Sequence, residues 1–443
     1  MKPHTLKRAR PFLYSTSLTV YLITAVSGCI NISRAQDTNI AENESPTNQA
    51  LRAISLGQIL RVVAETHPSI LQRLSERGAN EQGVATARWQ QWPGLSISSS
   101  RGALGNTLTE LQLEQPLWTG GRITANINAA EARSDAARHG VLEARQRILE
   151  RTINVYAEAM RLQARIKITN AAIADFEQLS AMIDRRVANG ISPKADAVNL
   201  SARLQQARGE GLQLRLQLQN AQTELELLMG HRFSELVAPP ALPALAISLE
   251  DVTQGALAHA PELARLNAEE RVAEETVAAT RSSLSPSLSL RYQRIFNGGA
   301  LYATDQLLLG VTYQPGNGLS SLSAISEAET RRSGLVHARE NARLELINRV
   351  RTLWQQADSA RREFDVLSEL VSSTWQVYES CLRQFPVGRR TWLELLLARR
   401  DATQAQYGLA DIEWTGFAAA LKLDLATGQL AARNYRISDE ISP

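Results

Sequence analysis

Apolar residues recur at alternating steps of four and three positions along two very long segments of the chain. One segment runs from about Gly121 to Ala188 and the other from about Leu319 to Phe385. This spacing is typical of coiled coils, and a helix of that length extends on the order of 100 Å at about 1.5 Å per residue. No globular core needs such a helix, so the pattern predicts two exceptionally long coiled-coil helices.

A returning helix follows each long segment, at about Pro193 to Met229 and about Thr391 to Thr427. The second returning helix has two adjacent apolar stripes, one from Ala398 to Leu423 and the other from Tyr407 to Leu421. A helix with two apolar stripes has neighbours on both sides. This favours the wall of a helical cylinder over an isolated two-stranded coiled coil.

Two short segments of alternating apolar and polar residues precede each long helix. They are about Leu95 to Arg101, Thr107 to Gln115, Ser287 to Ile295 and Asp305 to Tyr313, joined by turns that contain Gly102, Gly105, Asn106, Asn297, Gly298 and Gly299. The alternation places Leu288, Leu290 and Tyr292 on one face of a strand, and it groups Leu307, Leu309 and Val311 on its partner. Strands of about nine residues are long enough to cross a bilayer in a β-barrel.

The two halves of the chain repeat one order of elements at an offset of 193 to 199 residues. A helix, at about Leu56 to Gln91 and about Leu249 to Ser283, opens each copy. The predicted divisions are repeat 1 at residues 36–233, a proline-containing linker at 234–248, repeat 2 at 249–428 and a C-terminal tail at 429–443. The expected fold is therefore mainly α with a small β part, built from two structural repeats.

Four strands cannot close a membrane barrel, and an open edge in lipid would leave backbone groups unpaired. Three chains would supply twelve strands, an even number within the range of bacterial barrels, and twelve helical strands for a tunnel. Two chains would close a barrel of eight strands, but side chains would fill its interior. A conduit therefore favours a homotrimer in which a β-barrel continues into an α-helical tunnel.

The N-terminus predicts export, because basic residues precede an apolar run from Phe12 to Val26 that is short for a membrane span. Ser33-Arg34-Ala35 fits a cleavage site and assigns residues 1–35 to a signal peptide. Alternatively, Val26-Ser27-Gly28-Cys29 resembles a bacterial lipobox, which assigns residues 1–28 to the signal and a lipid to Cys29. Both assignments stay open.

The charge distribution and the motifs of the sequence indicate neither nucleic-acid binding nor catalysis. The net charge is +3 with Arg and Glu interspersed, which leaves no basic face for nucleic acid. The histidines lack metal-ligand spacing and no nucleotide-binding or hydrolase motif occurs, so we predict neither an enzyme nor a cofactor. Cys381 lies on a seam and is interpreted as a small buried side chain. Trp118 follows a strand and is interpreted as part of an interfacial aromatic girdle or as packing at the junction.

The repeated halves carry a resemblance to a known family. The junction Gln115-Pro116-Leu117-Trp118-Thr119-Gly120-Gly121-Arg122 and the tips Asn189-Gly190-Ile191 and Val387-Gly388-Arg389-Arg390-Thr391 resemble the TolC family of outer-membrane factors. The resemblance covers about Leu56 to Gly428. It implies a trimeric channel in the outer membrane of a Gram-negative bacterium, surrounded by outer-membrane lipid and extending into the periplasm.

The same resemblance implies partners and a pathway. A periplasmic adaptor is expected at the helix tips, at Gly190, Ile191, Gly388 and Arg389, together with an inner-membrane ABC transporter or a proton-driven pump. The segment from Trp392 to Trp414 looks most like the branch that exports adhesins by type I secretion. The rival functions are a drug or metal efflux duct with a proton-driven pump, and a non-conducting periplasmic coiled-coil scaffold.

The family also implies a periplasmic end closed by contacts between helix tips. Asp196 and Arg390 match an acid and a base that link neighbouring coiled coils, and Phe385 lies where the family can place a Tyr in that network. Glu394 matches a first acidic ring. These four positions are the expected gate.

Threefold symmetry would bring three Glu394 carboxylates together at a narrow pore. Their mutual repulsion would raise their pKa values and attract cations, although an isolated Glu is more often a solvated helix residue. Leu397 occupies the position of the family's second acidic ring and departs from the pattern. Asp401, seven residues beyond Glu394 on the same face, is the expected substitute.

Overall fold

The computed structural model describes residues 53–101, 107–239, 248–297 and 303–430. The predicted signal peptide with Cys29, the turn residues Gly102, Gly105, Asn106, Gly298 and Gly299, and most of the linker and of the C-terminal tail lie outside the described residues. Helices dominate the described part. None of the helices within these ranges combines the length and the hydrophobicity that crossing a membrane requires.

The elements follow one order twice. The first series is β1 (Ile54–Ser55), α1 (Leu56–Thr66), α2 (Pro68–Trp89), β2 (Gly94–Arg101), β3 (Thr107–Trp118), α3 (Arg122–Ala188) and α4 (Lys194–Met229). The second series is β4 (Leu236–Val237), α5 (Leu249–His259), α6 (Pro261–Arg281), β5 (Ser287–Asn297), β6 (Ala303–Thr312), α7 (Ser320–Gln384) and α8 (Trp392–Ala426). The two long helices, α3 and α7, are confirmed to within two residues of their predicted ends.

The prediction of one unbroken helix at the start of each copy is wrong. The first copy breaks at His67, whose backbone is extended with φ −66° and ψ 127°, and the second breaks at Ala260, with φ −70° and ψ 107°. In both copies a proline follows and becomes the first residue of the next helix. Proline disfavours the helical conformation of the residue before it but fits the first turn of a helix.

A four-stranded antiparallel sheet has the order β2-β3-β5-β6. Its register pairs Leu288 with Val311, Leu290 with Leu309 and Tyr292 with Leu307, which confirms the predicted apolar face. The opposite face carries mainly polar residues, with Ser96, Gln112, Gln293 and Gln306 aligned across the four strands. Within the described chain, β2 and β6 are the two edges of this sheet.

The helices form a row in which α8 lies between α3 and α7. On one side, Phe417 and Leu421 join Ile153 and Tyr156 of α3 in a buried cluster. On the other side, Ala419, Ala420 and Leu423 pack in a second cluster with residues that α7 contributes, Leu346, Val350 and Ala357. The two apolar stripes of α8 therefore have the two neighbours that the sequence predicted. Since α4 packs on the far side of α3, the order of the row is α4-α3-α8-α7.

The contact between α7 and α8 depends on a missing side chain at Gly416. A Cβ atom added there would lie only 2.6 Å from the Cβ of Ala360. We predict that Gly416→Ala lowers the free energy of unfolding by about 1–3 kcal/mol, because overpacking outweighs the gain in helix propensity. Thermal denaturation in detergent, followed by circular dichroism, measures the effect.

Gly408 provides the matched control on the same helix, since its added Cβ would lie 3.8 Å from Leu367, at ordinary contact distance. Gly408→Ala should raise stability by up to about 1 kcal/mol. A Gly416→Ala protein as stable as the wild type would contradict the close approach of α7 and α8.

Candidate functional site at the helix tips

Two tight turns form the end of the molecule that lies farthest from the sheet. Gly190 connects α3 to α4 with φ +69°, and Gly388 connects α7 to α8 with φ +74°. The N–H of Ile191 donates to the carbonyl of Arg186 at 2.8 Å, and the N–H of Arg389 donates to the carbonyl of Gln384 at 3.2 Å. These are the left-handed glycine caps that end many helices. All four predicted adaptor-contact residues at these turns are exposed.

Glu394 caps the N-terminus of α8. Its Oε2 accepts from the backbone N–H of Thr391 at 2.7 Å and from the Thr391 hydroxyl at 2.9 Å. In return, the N–H of Glu394 donates to the Thr391 hydroxyl at 3.3 Å. The second carboxylate oxygen, Oε1, accepts from Arg390 at 2.9 Å. This reciprocal capping box occupies both oxygens of the carboxylate within one chain.

These contacts change the expected electrostatics of Glu394. The hydrogen bonds from the backbone and the hydroxyl of Thr391, and then the guanidinium of Arg390, hold the pKa of Glu394 below the ordinary glutamate value. Repulsion within a ring of three carboxylates was expected to raise that pKa. The contacts inside the chain act in the opposite direction because they favour the charged form.

Arg390 and Asp196 form no ion pair with each other within the described residues. The Arg390 guanidinium, which precedes the cap of α8, binds Glu394 in the first turn of that helix. Asp196 lies in the first turn of α4 and lines a groove that α8 also lines. Within one chain, Arg390 is therefore engaged by Glu394 and not by Asp196. The expected link between coiled coils therefore stays a prediction about contacts between copies.

Phe385 packs inside the second tip and is covered by an arginine of the first. It is buried, and its ring lies 5.4 Å from the ring of Trp392. The guanidinium of Arg186 covers the Phe385 ring at 4.9 Å, and its Nη1 donates to the carbonyl of Pro386 at 3.4 Å. Arg186 also donates from Nε to Ser192 at 3.2 Å. Arg186, on the first hairpin, thus contacts the turn of the second, a role that the sequence analysis did not assign.

A groove of about 590 Å³ runs between α4 and α8 above the tips. Leu393 and Leu397 are exposed along it. Asp401, the expected substitute for a second acidic ring, lies 3.2 Å from the guanidinium of its neighbour Arg400. Around and beyond Glu394, α8 therefore presents two exposed apolar side chains, Leu393 and Leu397, and one acidic side chain, Asp401, whose charge Arg400 compensates.

Above the tips, polar contacts tie α3 to α8. Asp411 binds Arg161 at 3.0 Å and Arg165 at 2.8 Å, and the hydroxyls of Thr169 and Tyr407 lie 2.6 Å apart. A fourth contact involves the fully buried Arg399. None of these four contacts was predicted from the sequence. For Arg399 a signal was present, since it stands three residues from both Leu396 and Ala402 and therefore lies on a buried stripe of the helix.

The tips hold one thiol, in an apolar environment. Cys381 is buried in the apolar cluster of the tips, as the sequence predicted. Within the described ranges, no three His, Cys, Asp or Glu residues lie close enough to hold a metal ion. The arrangement consists of capped helix ends, apolar contacts and compensated charges.

Comparison with known proteins decides the family. The family described as outer membrane efflux protein matches residues 60–231 and 252–429, most of the chain. The chain belongs to the outer membrane efflux protein family. This confirms the predicted resemblance to TolC-like channels. Members of this family are channels rather than enzymes, and they cross the outer membrane of Gram-negative bacteria and extend into the periplasm.

Two relatives and one solved structure illustrate the range of the family. The alkaline protease secretion protein AprF of Pseudomonas aeruginosa is 23% identical over 425 residues, which cover 85% of each chain. The cobalt-zinc-cadmium resistance protein CzcC of Cupriavidus metallidurans is 24% identical over 395 residues, 86% of this chain and 91% of CzcC. The outer membrane protein VceC of Vibrio cholerae shares the fold, with a TM-score of 0.75 at 16% identity over 84% of this chain and 96% of VceC. The protein is thus an outer-membrane efflux channel of a tripartite system, in which such channels work with periplasmic adaptors and inner-membrane transporters.

The capping box at α8 makes a prediction about the order of the tip. Thr391→Ala removes the hydroxyl that caps the helix, at a cost of about 1 kcal/mol, and should speed hydrogen–deuterium exchange in the first turn of α8. Thr391→Ser keeps the hydroxyl and should exchange like the wild type. Equal protection in the Ala and Ser variants would contradict the cap.

Acidification should have the same effect on the wild-type tip. Since the pKa of Glu394 is lower in the folded chain, its contribution to stability is present above the ordinary glutamate pKa and is lost as pH falls through the folded value. Exchange corrected for its intrinsic pH dependence should therefore rise below about pH 4.5 in the wild type. Glu394→Gln should remove that change.

Proposed function

We propose that three copies of this chain join side by side into one continuous duct that exports protein across the outer membrane. The observation that carries the assembly is the exposure of apolar residues at both ends of the helix row. The cargo is inferred from sequence resemblance. The two parts of the proposal have separate tests.

The helix at one end of the row, α4, exposes apolar side chains along its free face. Val198 is 67% exposed, Leu212 is 65% exposed and Leu216 is 58% exposed. At the other end, α7 exposes Val366 and Val377, by 67% and 56%. Exposed apolar stripes of this kind mark surfaces that bind a partner.

The internal repeat indicates which partner these surfaces take. Gly190 and Gly388 stand 198 residues apart at equivalent turns, and this offset maps α4 onto α8 and α3 onto α7. It maps the exposed residues Val198 and Leu216 onto Leu396 and Trp414, which are buried in α8. The contact between α3 and α8 inside a chain is therefore a template for a contact between α7 of one copy and α4 of the next.

The same head-to-tail contact would join the edge strands β6 and β2 of adjacent copies. A contact between two different surfaces closes into a ring when the rotation between copies permits it. Three copies would give a closed sheet of twelve strands above a ring of helices, wide enough to leave a conduit. Opening and closing would take place at the tips, where Asp196 of one copy and Arg390 of the next would meet beside Glu394.

The repeat predicts the register of the contact between copies. The same offset carries the Asp175 and Arg399 pair of α3 and α8 onto Ser373 and Ser201, and both serines are exposed. In a background without Cys381, a protein with Ser201→Cys and Ser373→Cys should be linked by a short bis-maleimide into covalent dimers and trimers. Denaturing gels measure the products.

Each single cysteine variant is the control and should remain monomeric on the same gel. A monomeric double variant would contradict the proposed register. Products larger than a trimer would contradict closure with three copies.

For the cargo, we propose a protein, such as a large adhesin, delivered by an inner-membrane ABC transporter through a periplasmic adaptor that contacts Gly190, Ile191, Gly388 and Arg389. The resemblance of the segment from Trp392 to Trp414 to the adhesin-export branch supports this choice, and so does the named secretion role of the relative AprF. The second candidate is metal or drug efflux with a proton-driven pump, which the relative CzcC favours. The non-conducting scaffold is disfavoured because the family consists of channels.

A deletion strain separates the two pathways. Loss of this gene should abolish secretion of one or a few large proteins while leaving tolerance to zinc, cobalt and hydrophobic drugs unchanged. Mass spectrometry of the culture medium and growth inhibition assays measure the two outcomes. Reduced metal or drug tolerance with an unchanged set of secreted proteins would contradict protein export and support the efflux candidate.

A further inference from the structure

Arg399 is the largest fully buried side chain of the described molecule, with 0% exposure. Its Nε lies 2.7 Å from Oδ2 of Asp175 on α3. Its guanidinium also lies 5.4 Å from the ring of Trp375 and 5.3 Å from the ring of Tyr378, both on α7. Nη1 donates to Thr403 on α8 itself at 2.8 Å. One side chain therefore joins three helices.

The environment of this arginine stabilises the pair and raises the cost of breaking it. Burial, and then the Asp175 carboxylate, raise the pKa of Tyr378 to about 12, so its ring stays neutral beside the guanidinium. Aromatic faces attract a desolvated cation. If Asp175 is lost, the Arg399 guanidinium stays buried without compensation. If Arg399 is lost, the Asp175 carboxylate, which is 26% exposed, keeps part of its hydration.

The hydrogen bonding of Arg399 is nevertheless incomplete. Its Nη2 and its Nε are both buried, and neither makes a hydrogen bond within the described residues, so Asp175 holds Nε as a close ion pair without hydrogen-bond geometry. A well-packed apolar residue would fill such a site at no loss of stability, so stability alone does not account for a buried arginine here. A buried ion pair is costly to separate, which suits a position where α8 must keep one arrangement against α3 and α7.

The contact that the repeat makes equivalent to this one, between α7 and α4, lacks this cluster. At the offset of 198 residues, Arg399 corresponds to Ser201, Asp175 to Ser373 and Trp375 to Glu177. All three of these equivalent residues are exposed. The ion pair therefore belongs specifically to the contact between α8 and α3 inside a chain, and the equivalent contact between copies has none.

We propose that Arg399 is a positioning residue of the gate, whose buried pair with Asp175 holds α8, and with it Glu394, against α3 and α7 in the closed channel. Glu394 lies five residues from Arg399 on α8. The contacts of Glu394 with Arg390 are exposed and therefore weak, so the buried pair provides the larger restraint on this helix. This inference rests on the proposed duct with a gate at the helix tips.

Resting conductance of the purified protein in planar lipid bilayers tests the role of the pair. Asp175→Leu should raise resting conductance by about tenfold or more, because it leaves the buried guanidinium of Arg399 unpaired. Arg399→Met should also raise it above the wild type but by a smaller factor, because the remaining Asp175 carboxylate is 26% exposed. The double variant should fall back to within about twofold of the wild type, since two apolar residues replace the pair. Native gels establish the assembly of every variant.

Arg208→Met is the matched control. Arg208 also pairs with a residue of α3, Glu177, at 2.8 Å, but both side chains of that pair are about half exposed. Its loss should leave conductance unchanged.

Three results would overturn the proposal. They are wild-type conductance in an assembled Arg399→Met protein, a double variant as conductive as the single variants, and single variants that fail to assemble while the double variant assembles. The last result would assign the pair a purely structural role. A wild-type protein that forms no pore would instead contradict the proposed duct and is distinguishable from all three.

Discussion

The rest of this structure depends on one constraint: the helix row and the sheet, each built from two repeats, both end in edges that have no partner within the described chain. Each chain contains two repeats. The repeats form one contact with each other, between α3 and α8, while the equivalent contact surfaces, on α7 and α4, have no partner within the described chain. The open contact exposes apolar residues on α4 and α7, and it leaves the β2 and β6 edges of the sheet free within the described chain. Water tolerates an exposed apolar stripe at a cost in free energy, and a free strand edge invites pairing. Association of copies through the proposed head-to-tail contact would remove both costs.

The proposed gate lies at the helix tips, which are short turns with glycine caps at Gly190 and Gly388. Surface interactions there, such as the pair of Arg390 and Glu394, contribute little because water screens them. Buried contacts higher on α8, such as those of Arg399, contribute more. Contacts of exposed side chains at the tips are therefore weak, and contacts of side chains buried between the helices are stronger.

Much of the fold could be predicted because its signals are local. The seams of α3 and α7 and the two stripes of α8 are periodic patterns, and the structure places them against the neighbours that they require. The breaks before Pro68 and Pro261 were missed because the apolar periodicity continues across them, although the restriction that proline places on the preceding residue was readable. At the tip, Thr391 and Glu394 have the spacing of a capping box, but the family resemblance placed Glu394 in an acidic ring at the pore. Arg399 could not be assigned a partner, because Asp175 stands 224 residues away and only tertiary packing brings them together.

The central claim is that three copies close into a duct through contact of α4 with α7 of the next copy. Electron cryo-microscopy of the full-length protein in lipid nanodiscs tests it most directly. The account predicts particles with threefold symmetry, a continuous central passage, and Ser201 of one copy facing Ser373 of the next. Single chains, rings of another number, or a ring in which α4 and α7 remain exposed would contradict it.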